Sequence, residues 1–153
     1  MIEELEKVSL CQNLTPDQLD AVSRFCTTLY LSDGDMLIRE SDQEDNDLYL
    51  LCTGNVEIVS NSTRVTSGEV VISTEDKDVF GEMSWLTNAP RTASVRCHGN
   101  VLAIRVDGPA LSDYLNENPD VGFIIMQYVA IKLASRLQGT DSLLKQILWN
   151  TML

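Results

Sequence analysis

The densest chemistry in the sequence lies in residues 80–95, Phe80-Gly81-Glu82-Met83-Ser84-Trp85-Leu86-Thr87-Asn88-Ala89-Pro90-Arg91-Thr92-Ala93-Ser94-Val95. Gly81 permits a close backbone approach or a positive φ. Residues 83–86 are long enough for one helical turn, whose leading amides would point at an anion. Asn88-Ala89-Pro90 stops that turn, and Arg91 is then the first charge of a strand-like run through Val95. A guanidinium placed there can grip a phosphate with two N–H donors. At about 4 Å and an effective dielectric near 20, such a charge pair is worth roughly 4 kcal/mol before desolvation. Glu82 is a strange neighbour for a phosphate alone. As an ionised carboxylate it only accepts hydrogen bonds, so it suits a ligand that also brings hydroxyl donors. A phosphate and a sugar hydroxyl on one small ligand point to a nucleotide.

The elements that must position these residues read as helix, β body, helix. Residues 1–30 carry helical signals. Thr15 is the N-cap, Pro16 takes the first helical position and Gln18 the capping-box position. Leu19, Val22 and Phe25 or Cys26 follow on one apolar stripe. Residues 31–107 read as short strands. Ser32-Asp33-Gly34-Asp35 is a turn, 36–38 a strand, and the acidic stretch 41–47 a loop. Residues 47–51 and 55–60 read as two strands that turn at Thr53-Gly54; 61–67 is a polar turn and 69–73 a further strand. Residues 91–97 and 101–106 form another pair, split by His98-Gly99-Asn100. Short strands at this spacing predict a mainly β fold, an antiparallel sandwich or barrel. Helical periodicity returns over 108–153, with a short helix at 109–116, a break at Pro119 and a longer helix from about Val121. Met126, Ala130, Leu133, Leu137, Leu144 and Ile147 recur at three- and four-residue steps, a heptad-like seam weakened around Gly139 and Thr140. Its first half is expected to pack on the β body and its second half against a partner. Residues 1–153 contain no repeat and no linker, and read as one domain.

Composition narrows the functions. A length of 153 residues with 44% hydrophobic content suits one globular domain. The formal net charge of −12 has the wrong sign for a nucleic-acid binder. An anion site on such a protein must be local, which screening over a Debye length of roughly 8 Å allows. No apolar run approaches the roughly 20 residues needed to cross a bilayer. Residues 1–8 lack the basic-then-apolar order of a signal peptide, so the cytoplasm is the expected location. The four cysteines, Cys11, Cys26, Cys52 and Cys97, form no C-x-x-C pair, and His98 is the single histidine. They read as reduced, mostly buried residues, with no metal site. Asp42, Glu44, Asp45 and Asp47 do not match the spacing of a calcium loop and read as a solvated turn. Arg96 and Arg105 read as surface charges, and Lys132 and Arg136 as partners for nearby acids. A Cys97–His98 nucleophile would lack a third, orienting group, so the chain is expected not to be an enzyme and to need no cofactor.

Residues 80–95 resemble the phosphate-binding cassette of the cyclic-nucleotide-binding domain family, sensor domains of the catabolite-activator and kinase-regulatory-subunit type. F-G-E, a short helix and P-R-T-A-S-V match without insertion or deletion. Gly34-Asp35 with Ile38, Asp47-Leu48-Tyr49 and Gly54 extend the likeness over about residues 10–137. The resemblance implies a jelly roll (double-stranded β-helix) with N-terminal helices and a long C-terminal helix, binding cAMP or cGMP as ligand. It implies that Glu82 accepts from the ribose 2′-hydroxyl and Arg91 pairs with the cyclic phosphate. The amides of Gly81, Ser84 and Thr92 would donate to ligand oxygens, with Met83 in the same contact set. The Thr92 hydroxyl would touch phosphate or reach the amino group of a syn guanine, which leaves both nucleotides open. Val70, Val71 and Ala93 would line the ribose and base, and Leu143, Leu144 or Trp149 would supply an apolar lid. Two residues depart from the pattern. Ser41-Asp42 stands where the family usually has Gly-Asp. Trp85 exceeds the usual aliphatic residue and reads first as core packing, with a ligand- or partner-facing role as the alternative. No helix-turn-helix, kinase or channel segment follows the long helix, which moves the expected output away from DNA and membranes. The expected partners are a cyclic nucleotide, a protein that reads the C-terminal helix, and a second copy through that helix. The alternative is a ligand-free module for dimerisation or protein interaction, in which Glu82 and Arg91 pair with each other.

Overall fold

Thr15 accepts from the Gln18 amide while the Gln18 side chain accepts from the Thr15 amide, so the expected capping box starts a helix at Pro16. The computed structural model describes residues 1–61, 69–75 and 79–152, with side-chain surroundings for 1–60 and 79–152. Three helical pieces lead: α1 (Ile2–Lys7), a 3-10 turn (Ser9–Cys11) and α2 (Pro16–Ser23). The helical reading of residues 1–30 fails at its end. Cys26–Leu31 is strand β1, paired antiparallel from Cys26↔Val106 to Leu31↔Val101. Thr27, Thr28 and Tyr30 favour an extended chain, and the pairing overrides the helical stripe that Phe25 and Cys26 continue.

Next come β2 (Met36–Ile38), β3 (Leu48–Asn61), β4 (Glu69–Glu75), β5 (Val79–Phe80), α3 (Glu82–Thr87), β6 (Ser94–Val106), α4 (Gly108–Glu117) and α5 (Pro119–Thr151). The sheet runs β1-β6-β3-β4, with β2 also on β6 and β5 also on β3, and every pairing is antiparallel. β3 and β6 are single long strands where the sequence reading has two pairs. Thr53-Gly54 and His98-Gly99-Asn100 are register shifts, from Leu51↔Ala103 through Thr53↔Leu102 to Asn55↔His98. Gly54 has φ +97 and a Cβ there would lie 2.5 Å from the Asn100 carbonyl oxygen, so the bulge requires glycine. Of the expected turn at 61–67, Asn61 is instead the last residue of β3, and 62–67 lie outside the described residues.

Successive residues of the long strands face opposite sides. Leu48, Leu50, Ile104 and Val106 join Leu5, Leu19, Trp85, Leu111 and Ile125 in a core between sheet and helices. Tyr49, Leu51, Val101 and Ala103 join Ile38, Phe80 and Val95 in a second core inside the β body. Helix α5 lays Val121, Ile125 and Val129 on the first core. The expected inward packing of the first half of the heptad-like seam is therefore corrected: Met126, Ala130 and Leu137 are exposed, and only Leu133 is half-buried against the core, while Leu144 and Ile147 of the second half are exposed. The inward row is the i, i+4 series beginning at Val121.

Candidate functional site

The site is built where β5 passes through Gly81 into α3. Gly81 has φ +87, and a Cβ on it would lie 2.4 Å from Arg91 Nη1 and 2.8 Å from the Asp47 carbonyl oxygen. The missing side chain lets the guanidinium lie against the turn. Asn88, at φ 56, ends α3 with its amide donating to the Ser84 carbonyl, and the chain returns to Arg91. There the backbone is pinned to the preceding loop, with Arg91 N–H donating to the Asp42 carbonyl (3.0 Å) and Ser41 N–H to the Arg91 carbonyl (2.8 Å).

The Arg91 side chain is buried and engaged. Nη1 donates to the Gly81 carbonyl at 2.9 Å and Nη2 to the Asp47 carbonyl at 2.6 Å. Nη2 also pairs with Asp45 Oδ1 at 2.9 Å, and the guanidinium carbon lies 5.9 Å from the Tyr49 ring centroid. Nε is buried with no partner among the described residues. Two carbonyls and Asp45 thus already take Nη donors of Arg91, and a phosphate contact of the kind the sequence suggests would draw on the remaining N–H groups of the guanidinium. The reading of 41–47 as a solvated turn is corrected. Asp45 accepts from the Tyr49 hydroxyl at 3.0 Å and holds Arg91. Asp47 accepts from the Gly108 amide at 2.8 Å and from Arg105 Nε at 2.5 Å. Asp42 accepts from the Glu44 and Asp45 amides, which hold its carboxyl below the usual range.

Glu82 is 3% exposed and pairs with Arg136 Nη1 of α5, not with Arg91. One turn earlier on α5, Lys132 donates to the Val79 carbonyl at 3.1 Å and lies over the Phe80 ring. The helix is thereby tied to both β5 and the first residue of α3. Gly81, Glu82, Met83, Ser84, Arg91, Thr92 and Ala93 line one hollow of about 100 Å³, and Arg136 lines it from α5. Thr92 and Met83 are exposed at its rim. Val70 and Val71 lie in β4 opposite Ser60 and Val59, and their side chains are outside the described residues. Leu143, Leu144 and Trp149 are more than half exposed and do not line the hollow, so the expected lid is not formed by this copy.

Sequence reasoning gave Asp45 and Asp47 no part in the site, and it read Arg136 as a partner for an acid without naming Glu82. Lys132 and Arg136 stand one helical turn apart and so share a face, but nothing in that spacing names what the face meets. Trp85 is core: it is buried, and its Nε1 donates to the Gly108 carbonyl at 3.0 Å. Cys97 is buried, which with Asp35 and Asp33 nearby pushes its thiol up, while exposed His98 pairs with Glu57 at 3.3 Å. The two side chains do not make a nucleophile pair. Arg96 pairs with Glu57 at 2.9 Å and Arg105 with Asp47, so neither is a bare surface charge. Among the described residues no cluster could hold a metal ion, and no helix is long and apolar enough to cross a membrane.

The family described as "Cyclic nucleotide-binding domain" matches residues 28–118. The chain is 25% identical over 151 residues to the CRP-like cAMP-activated global transcriptional regulator of Mycobacterium tuberculosis, a match covering 97% of this chain and 64% of that protein. It is 34% identical over 91 residues to a cAMP-dependent protein kinase regulatory subunit of Hypocrea atroviridis, covering 60% of this chain and 18% of that protein. The chain thus spans less than two thirds of the length of these curated relatives. A cyclic nucleotide-binding domain from Methylobacillus flagellatus superposes with a TM-score of 0.75 at 20% identity, over 90% of this chain and 76% of that one. The catabolite activator protein of Thermus thermophilus gives 0.70 at 20% identity, over 88% and 62%. At these identities the structural likeness shows the fold alone.

Proposed function

The chain belongs to the cyclic nucleotide-binding domain family, and from that premise we propose that it is a regulatory sensor of cAMP or cGMP whose C-terminal helix carries the signal. The observation that supports this most directly is the convergence at Gly81. A positive-φ glycine lets a buried guanidinium and the first turn of α3 meet at one hollow, with buried Glu82 at its edge. In this reading Arg91 Nε–H and the leading amides of α3 take the cyclic phosphate, and Glu82 takes the ribose 2′-hydroxyl. The relatives whose names mention cAMP favour an adenine nucleotide, and exposed Thr92 leaves guanine open.

The hollow holds about 100 Å³, whereas ligand pockets run to roughly 300 Å³ and more. In this reading the nucleotide displaces Arg136 from Glu82 as it enters, and α5 moves with it. A ligand that binds only the displaced arrangement shifts α5 toward it. The role is binding, not catalysis, and the place of action is the cytoplasm, where the four free thiols stay reduced. The reader of the movement is a second copy through the exposed seam of α5, or another protein.

Calorimetric titration with cAMP and cGMP tests this. We expect micromolar or tighter binding to one of them, and its loss in Arg91→Ala. Absence of heat with both nucleotides, in protein verified to be nucleotide-free, would leave the ligand-free reading. A specific observation favours that second reading: Glu82 and Arg91 each already have a protein counter-ion.

A further inference from the structure

Helix α5 carries an exposed row made of Phe123, Met126, Leu137, Leu144 and Leu148, with Ala130, Ala134 and Asp141 between them at three- and four-residue steps. The five large side chains are 39% to 68% exposed. The row begins at a hollow of about 480 Å³ that Phe123 and Met126 wall together with Trp85, Leu86 and Leu115. Side-chain size is unequal along it. Ala130 and Leu144 each lie seven residues from Leu137, and Met126 and Leu148 each lie eleven. A two-fold axis at Leu137 that reverses the helix sets Ala130 against Leu144 and Met126 against Leu148, each contact made twice. Small then meets large, as a close-packed helix seam needs. The other copy's Leu148 enters the mouth of the hollow. A parallel pair sets Ala130 on Ala130 and Leu144 on Leu144, and leaves the hollow open.

Charge favours the same orientation. A parallel pair brings the two Asp141 carboxylates into one layer of the seam, with the two Lys145 ammonium groups close by. Reversal parts the carboxylates by about 12 Å along the axis and the ammonium groups by about 24 Å, beyond a Debye length of roughly 8 Å. Lys132 and Arg136 face the inward side of α5, toward the Val79 carbonyl and Glu82 of their own copy. Each copy carries −12, and its β body packs on α5 at Val121, Ile125 and Val129. Reversal places the two acidic bodies at opposite ends of the helix pair. We infer that α5 pairs antiparallel with α5 of a second copy, about a two-fold axis at Leu137, and that Leu148 of each copy caps the hollow of the other. Paired from Phe123 to Thr151, the helices touch over about 42 Å and bury on the order of 1,000 Å² on each copy, the size of a specific dimer. The inference deepens the reading of a second copy as the partner of α5. It does not depend on nucleotide binding, so its failure leaves the sensor reading to its own titration.

Cysteine cross-linking in the full chain tests the orientation. Met126→Cys, Leu137→Cys and Leu148→Cys all fall at exposed positions, so none disturbs the core. Each variant is treated with oxidised glutathione alone, and Met126→Cys is also treated in an equal mixture with Leu148→Cys. Non-reduced dimers are quantified by mass spectrometry, and the wild type sets the background from the four native thiols. A disulfide needs Cα atoms within roughly 7 Å. In the antiparallel pair the two 126 positions lie about 33 Å apart along the axis, and so do the two 148 positions. The mixture is therefore expected to give at least ~10-fold more dimer than either variant alone, and Leu137→Cys to cross-link by itself. Self-linking of Met126→Cys or Leu148→Cys at the level of the mixture shows a parallel pair and overturns the inference. Cross-linking at 137 alone shows a different crossing and overturns it too. Absence of a cross-link at all three positions overturns it whatever the mass in solution.

Discussion

Gly81 sits at φ +87, and a methyl group on it would collide with Arg91 Nη1 and with the Asp47 carbonyl oxygen. Gly81→Ala therefore combines backbone strain with displacement of the buried cation. We expect a loss of about 1–3 kcal/mol in urea unfolding and at least ~10-fold weaker nucleotide binding. An unchanged unfolding midpoint would show that the close approach is not needed. Glu82 and Arg136 pose a different question, because a buried carboxylate meets a guanidinium that is 37% exposed. Arg136→Met strands the carboxylate and is expected to cost about 2 kcal/mol, less than a fully buried pair would lose. Adding Glu82→Gln removes the stranded charge and should restore most of that loss, so a double-mutant cycle reads the coupling. Lack of coupling in the cycle would count against the contact. The thiols set a pH dependence. Burial pushes Cys11 and Cys26 from 9.0 up to about 12, with Cys26 and Cys52 adding to the effect on Cys11. The folded state then holds protons that the unfolded state has released. That contribution to stability is complete below pH 9 and falls away as pH rises toward 12, by at most roughly 1.4 kcal/mol per unit for each thiol. Unfolding midpoints should drop between pH 8 and pH 10, and Cys11→Ala should flatten the slope.

The loop before β3 shows what an element contributes to the cassette. Ser41 has φ 67, in the left-handed region, where it donates to the Arg91 carbonyl while Asp42 accepts from the Arg91 amide. The glycine that the family usually carries at this position would adopt that backbone without the Cβ penalty. Ser41→Gly is expected to raise stability by about 0.5–1 kcal/mol in thermal or urea unfolding with binding retained; a destabilised variant would mean the hydroxyl contributes more than the strain costs. That position was legible in the sequence as a departure, and so was α3 with its glycine start and Asn88 stop. The Gly81–Arg91 contact spans ten residues, short enough for spacing to imply it. The contacts that bring the other elements to the site span more. Asp47 reaches Arg91 across 44 positions, and Arg136 reaches Glu82 across 54. Those distances are closed by strand register and helix docking, which side-chain periodicity does not encode. For the same reason β3 and β6 each read as two strands. Gly54 and Gly99 carry the positive φ of a turn, and only the partner strand reveals that the chain runs straight on through a bulge. β1 was misread because a helical stripe and a β-favouring run overlap at Cys26.

Helix α5 is 33 residues long, about 50 Å, and its last buried residue is Val129. Beyond it Leu137, Leu143, Leu144, Ile147, Leu148 and Trp149 are all at least half exposed. An isolated amphipathic helix gains little from propensity alone and is normally held by packing of its apolar face. The seam of Leu137, Leu144 and Leu148 continues toward Met126 and Phe123, which wall a hollow of about 480 Å³ behind α3 together with Trp85 and Leu86. The molecule as a whole carries −12, so self-association works against a long-range repulsion that salt screens. Covering the exposed apolar side chains in a pair would bury on the order of 1,000 Å² on each copy, the size of a specific dimer. Arg136 lies on the same helix, so a nucleotide that draws Glu82 away from it also acts on the seam. Linkage makes this reciprocal: if nucleotide binding changes the dimer constant, dimerisation changes nucleotide affinity by the same factor. Analytical ultracentrifugation is expected to give twice the 17.0 kDa of one chain. The midpoint of association should shift about 5-fold or more on adding saturating cAMP or cGMP. Leu144→Glu should give a monomer whose β body unfolds at the wild-type midpoint, with a nucleotide affinity that no longer depends on protein concentration. A wild type that stays monomeric at ~100 μM, a concentration at which even weak specific pairs form, would remove α5 self-pairing from the mechanism and leave another protein as the reader of the helix.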